Sequence, residues 1–143
     1  MAIYNNRARE RYTQNAADRW YAWSKQLPLR IGIRTGVRPP NAPSMSDCSS
    51  SSTWAYWTVF GNGPDLLNAQ RWAAGYTGSM STRGRSISCS SMQSGDLAFY
   101  GHPISHVAIS VGNGRVVSHG SDPAGLYSTN YRSDLNQCRT YLA

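Results

Sequence analysis

The chain has 143 residues, 40% of them hydrophobic and 15% charged, with five Trp and nine Tyr; this suits one folded domain, 1–143, with a real core, and argues against disorder. The formal net charge is +7, and the 14 basic residues are all Arg except Lys25. The arginines are scattered and form no recognisable reading motif, which argues against nucleic acid and leaves an anionic wall polymer, or simply a solvated basic surface, as what the charge suits.

In chain order, Ala8, Tyr12, Ala16, Trp20, Trp23 and Leu27 recur at spacings of three and four, which predicts an amphipathic helix over residues 5–26 that Pro28 stops. The following "LRIGIRTGVRPPNAPS" reads as a long loop with a short extended piece near residues 31–33. Ser46 or Asp47 can cap a second helix running to about Phe60, with Cys48 in its first turn. "GNGP" breaks the chain, and Pro64 and Gly75 bracket a predicted helix over residues 65–74. Residues 76–94, dominated by Ser, Gly and Thr, read as loop. The period then changes: "DLAFY", "HVAISV", "RVVSH" and "QCRTYL" are strand-like, and "GNG" at 112–114 is a hairpin signal. Helices followed by an antiparallel sheet predict an α+β domain.

No apolar run approaches the roughly 20 residues of a membrane span, and "MAIYNNRARERYTQ" has no apolar stretch of the signal-peptide kind. The expectation is a monomer that accumulates in a cytosol. Cys48, Cys89 and Cys138 lack CxxC spacing and cannot all pair within one chain. A Cys89–Cys138 disulfide is the less favoured reading, and neither HExxH nor paired-cysteine spacing supports a metal.

A cysteine in a helix's first turn faces the positive end of the backbone dipole, which favours a thiolate, and unpaired N–H groups that could meet an oxyanion. Taken alone, Cys48 is better explained as a small buried side chain. A nucleophile needs a base, and the candidates are His102, His106 and His119. His106 opens a strand and His119 ends the next one, so an even hairpin loop puts both on one sheet face and an odd loop puts them on opposite faces.

Together, "DCSSSSTWAYW", "SGDLAFY" and "SHVAISVGNGRVVSHGS" resemble, in order and context, the NlpC family of papain-like cysteine peptidases. The resemblance covers about residues 46–119 and implies N-terminal helices packed on a small antiparallel sheet. It implies Cys48 as nucleophile, His106 as base and His119 as the third member holding His106. Asp47, Ser49, His102, Ser105, Ser118 and Asp122 are then expected around the cleft, with Asp47 structural and Ser118 and Asp122 as alternatives to His119. In that family the third residue usually falls twelve positions after the base, which is Ser118 here; His119 is preferred because an imidazole holds the base better and "VVSHGS" is similar to some phage lysins.

The implied activity is cleavage of bacterial peptidoglycan stem peptides, between a D-glutamyl γ-carboxyl and a diamino acid, through an acyl-enzyme without cofactor. The setting expected is an endolysin that reaches the wall after membrane permeabilisation. An amidase-type effector, a phage tail component and a non-catalytic wall- or nucleic-acid-binding module are the alternatives. Two features depart from the family pattern: Ser50 stands where Gly is common, and no Tyr-x-x-Gly-Gly segment precedes the cysteine.

Overall fold

The structure, a computed structural model, describes residues 1–14, 39–43, 45–72 and 75–142. In chain order its elements are α1 (Ala2–Asn5), β1 (Arg11–Tyr12), β2 (Met45–Ser46), α2 (Cys48–Phe60), α3 (Thr77–Met80), β3 (Arg85–Ile87), a 3-10 turn (Cys89–Ser91), β4 (Leu97–Tyr100), β5 (His106–Gly112), β6 (Arg115–Ser118), β7 (Gly125–Ser128) and β8 (Leu135–Thr140). Strands β3 to β8 form one antiparallel sheet in the order β3-β8-β4-β5-β6-β7. Strands β1 and β2 form a separate parallel pair, Arg11 opposite Met45 and Tyr12 opposite Ser46.

Two apolar layers use the two faces of the sheet. Leu97, Phe99, Val107 and Val117 meet Trp54 and Trp57 of α2 on one face, while Ala98, Tyr100, Ala108, Val116 and Cys138 form a second cluster on the other. That second face is covered in part by Cys89 and Met92, and the Cys89–Cys138 disulfide ties the 3-10 turn to β8. The less favoured cysteine pairing is therefore the one the fold makes. Pairing between β3 and β8 brings the two cysteines near each other, with Cα atoms 5.1 Å apart across 49 residues of sequence, and closing a loop of that length restrains the unfolded chain by about 4 kcal/mol in the chain-entropy account.

Three local expectations change. Residues 6–14 of the predicted first helix form turns and β1, and the rest of it, to residue 26, lies outside the described residues, as does the extended piece at 31–33. Residues 65–72 are turns, because the Asp65 carboxylate takes the backbone donors a helix would use. Oδ1 accepts from Leu67 and Asn68 N–H at 3.0 Å each, and Oδ2 from Gln70 at 3.0 Å and Trp72 at 3.2 Å. Ala69, Arg71 and Trp72 take positive φ there. Within 76–94, α3, β3 and the 3-10 turn replace the expected loop. Among the described residues, no helix is long and apolar enough to cross a membrane.

Candidate active site

Helix α2 starts where the sequence says it should. Asp47 Oδ1 accepts from Ser50 N–H at 3.0 Å and from Ser50 Oγ–H at 2.7 Å, while Ser50 Oγ accepts from Asp47 N–H at 2.8 Å. This reciprocal capping box puts Cys48 at the first helical position. The hydroxyls that follow are buried and bonded: Ser52 and Thr53 donate to the carbonyls of Cys48 and Ser49, each at 2.9 Å. Small satisfied side chains let the polar first turn sit inside the fold.

Cys48 is 6% exposed. Its sulfur lies 3.7 Å from Thr77 Oγ1 at the start of α3 and accepts from the backbone N–H groups of Val107 and Ser49. Burial first, and then the Asp47 carboxylate, push the thiol above its ordinary pKa, against these donors. The group at neutral pH is accordingly a thiol, because burial outweighs the donors around the sulfur.

The residue before Val107 is His106, buried at the start of β5. The His106 ring reaches Ser118 Oγ through Nε2 at 2.8 Å, and Tyr131 OH lies 3.2 Å from the same nitrogen and 3.0 Å from Ser118 Oγ. Burial, then the Arg132 charge, lower its pKa to about 4, with Asp134 and Asp47 acting the other way. At neutral pH the imidazole is uncharged. Gly120 backs the ring: a Cβ there would stand 2.9 Å from Cε1 and 3.3 Å from Nδ1.

The expected bond from His119 to His106 does not form, and the cause is a cancellation of two features of the hairpin. Asn113 and Gly114 make the two-residue loop, both at positive φ, with Gly112 opposite Arg115. That loop alone would place His119 opposite Ala108, on the face of His106. A bulge at Val111 adds one residue to β5, however, so Ser110 faces Val116 and Ile109 faces Val117. Continuing that ladder sets Ser118 opposite Ala108 and turns His119 to the other face.

His119 is 1% exposed there. Nδ1 bonds Ser46 Oγ at 2.9 Å and reaches Ser51 Oγ at 3.5 Å, Nε2 contacts Asp122 Oδ1 at 3.4 Å, and Tyr12 packs edge-on at 5.7 Å. Asp122 also accepts from Tyr12 N–H at 2.7 Å. Ser118 thus takes the place expected for His119, and Asp122 serves His119 and β1.

A polar cleft of about 400 Å³ opens beside His106, lined also by Tyr12, Gln14, Ser105, Ser118, Tyr127, Tyr131 and Arg132 among others. Ser105 and Ser118 lie in it as expected around the site. Ser49 is buried with its hydroxyl bonded to Asp47 Oδ1 and the Gly75 carbonyl, and His102 is exposed with Nδ1 3.1 Å from Asn136 Nδ2. Sequence reasoning missed Thr77, Tyr131 and Arg132. The short β7 that precedes "TNYRSD" gives little periodicity, and no motif marks those residues. Among the described residues no group of three or more His, Cys, Asp or Glu could hold a metal.

A capped helix presents a thiol toward the opening residues of β5, where an imidazole is bonded to a hydroxyl, within an α+β fold. The chain belongs to the NlpC/P60 family, whose model matches residues 36–141. Among solved structures it is similar to the NlpC/p60 domain of the peptidoglycan hydrolase SagA, at 23% identity and a TM-score of 0.55, over 88% of this chain and 98% of that one. It is similar also to NlpC2 from Trichomonas vaginalis (15%, TM-score 0.57, 98% of this chain and 45% of that one). An NlpC/P60 family protein from Bacillus cereus matches at 19% identity and a TM-score of 0.53, over 70% of this chain and 34% of that one. The chain therefore spans less than half the length of the latter two proteins. No curated protein sequence matches it.

Proposed function

We propose that the chain is a cysteine peptidase that cuts amide bonds in bacterial peptidoglycan stem peptides, between a D-glutamyl γ-carboxyl and a diamino acid, with Cys48 as nucleophile, His106 as base and Ser118 orienting the base. The observation that carries this reading is the Cys48 sulfur resting on Val107 N–H, one residue from an imidazole whose Nε2 is bonded to Ser118. Family membership and the likeness of fold to a peptidoglycan hydrolase support it.

Nδ1 of His106 takes the thiol proton as sulfur attacks the amide carbonyl carbon, so the ion pair forms only with substrate in place. In the first turn, Ser50 N–H is held by Asp47 Oδ1 and Ser51 N–H by the Asp47 carbonyl. With the Ser49 backbone donor turned to the sulfur, Cys48 N–H is the first-turn donor that we assign to the oxyanion. Collapse breaks the C–N bond, and the amine leaves with the proton from His106. Water then attacks the thioester, giving its proton to His106 and releasing acid and thiol. No cofactor enters these steps.

The setting we infer is that of a lysin at the cell wall. The net charge of +7 would favour an anionic wall, and the Cys89–Cys138 disulfide suits the oxidising space outside a cytosol. Purified protein is expected to release amino groups, and no reducing sugars, from peptidoglycan, with mass spectrometry of the fragments fixing the bond. Cys48→Ala should cut this release by at least about 10³-fold, since the covalent step has no substitute. Release that survives the substitution, or none from the wild type with retained wall binding, would replace the peptidase reading by a binding module.

A further inference from the structure

The Asp65 carboxylate gathers the backbone of residues 67–72 around itself, and the loop so formed carries Asn68 inward. Asn68 is 5% exposed. Its Nδ2 donates to Thr53 Oγ1 of α2 at 3.1 Å, while its Oδ1 accepts from Tyr76 N–H at 3.2 Å and from Ser79 Oγ–H at 2.7 Å. One side chain thus fixes the start of α3 against α2. Gly75, at φ +92°, lets the chain pass between them, since a Cβ there would run into Thr53 Oγ1 and Asn68 Nδ2. The first residue of α3 held in this way is Thr77, and its Oγ1 comes to 3.7 Å from the Cys48 sulfur.

We propose that Thr77 is a further catalytic residue, whose hydroxyl donates to the Cys48 sulfur and stabilises the thiolate that attacks substrate. This rests on the reading of Cys48 as the nucleophile. The direction of the bond follows from the hydrogens available. Thr77 is buried, and among the described residues the sulfur is the partner of its hydroxyl. If the thiol donated to Oγ1, the threonine hydrogen would be left without an acceptor there, which costs more than an idle S–H, a weak donor. With the hydroxyl donating, the thiol proton stays free for His106. Once that proton has left, the sulfur can only accept, and the same bond becomes a charge-assisted one. The bond therefore favours the charged form over the neutral one, and eases the proton transfer that attack requires.

The titratable and charged groups facing the sulfur are Asp47 ahead of α2, which opposes the thiolate as burial does, and His106 at the start of β5, the proton's acceptor in the proposed reaction. From α3 the sulfur meets a group that does not titrate. Thr77 offsets part of the effect of burial and Asp47 without adding a charge that would hold His106 neutral.

With Cys89 and Cys138 joined, Cys48 is the free thiol of the chain, so the pH profile of its alkylation by iodoacetamide reads the thiolate. Thr77→Val, which keeps the shape and removes the hydroxyl, should move the midpoint of that profile to higher pH and slow alkylation at pH 7 about tenfold, and Thr77→Ser should restore both. On peptidoglycan, kcat/KM of Thr77→Val should fall about tenfold. Lost packing alone changes alkylation by one factor at every pH and leaves the midpoint in place. A midpoint that Thr77→Val leaves unmoved, or a moved midpoint with kcat/KM within about twofold of wild type, would overturn the proposal. A midpoint that moves in protein that cuts no peptidoglycan supports the hold of the hydroxyl on the sulfur and removes the peptidase reading instead. Should Thr77→Val fail to fold, Thr77→Ala takes its place, and an unmoved midpoint there sinks the idea.

Discussion

His106 and His119 are thirteen residues apart on one hairpin, both buried beside serine hydroxyls and both held below the ordinary histidine pKa chiefly by burial. They differ in what their nitrogens do. His119 has contacts at both: Nδ1 to Ser46 and Ser51, Nε2 to Asp122. It is a clamp joining β2, α2 and the turn after β6, and Asp122 extends that clamp to β1 through Tyr12 N–H. Among the described residues, His106 bonds through Nε2, and it lines a cleft. An imidazole can serve as base where one nitrogen is fixed and the other is left to react. Burial and polar neighbours alone do not separate a reactive histidine from a structural one.

The sharpest way to break this comparison is to delete the third residue on each side. Ser118→Ala should lower kcat about 10–100-fold with little change in stability, because the base loses its orientation. His119→Ala should keep activity within about threefold while costing about 2 kcal/mol, from the stranded hydroxyls and Asp122. For a domain of this size that lowers the Tm by roughly 4–8 °C. Rates measured at matched folded fraction decide, and a greater loss from His119→Ala would reverse the assignment.

Gly120 probes the base from behind. An added methyl must push the His106 ring, since the Cβ would lie 2.9 Å from Cε1. Gly120→Ala should therefore reduce kcat/KM about tenfold, and full activity in a steady-state assay would show that the ring position tolerates the shift.

The two sides also differ in pH dependence, where they have opposite signs. His106 is held near 4 against an ordinary 6.5. Between those values the unfolded chain binds a proton that the folded one refuses, so stability falls as pH falls through that window, by on the order of 3 kcal/mol. On the clamp side, Glu10 is 1% exposed, neither carboxyl oxygen has a hydrogen-bond partner among the described residues, and burial, with Asp122 adding to it, raises its pKa to about 8. From 4.5 to 8 the folded chain keeps a proton that the unfolded chain has lost, and stability falls as pH rises. Glu10→Gln should leave the Tm unchanged near pH 4 and raise it relative to wild type progressively between about pH 5 and 8. A pH-independent difference in thermal melts would remove Glu10 from this account.

Much of the site was legible because its signals are local. Asp47 and Ser50 cap the helix over three residues, Asn113-Gly114 makes the turn within two, and short β-like runs draw the four main strands. These place Cys48 at a helix start and His106 at a strand start without reference to the rest of the chain. The third residue was not legible, since side-chain facing depends on parity along the whole hairpin. One bulge at Val111 reverses the face that a correctly read turn implies. The Asp65 wrap was likewise hidden, because a carboxylate that can cap a helix can also replace one.

The sequence by itself determined the helix that opens at Cys48, the strand that opens at His106 and the turn between β5 and β6, all from contacts a few residues apart. Only the tertiary structure decided that Ser118 and Tyr131 meet His106, that His119 joins the clamp, and that Cys89 pairs with Cys138. Each of those depends on which strands lie side by side and in what register, and that is set by packing of the whole sheet.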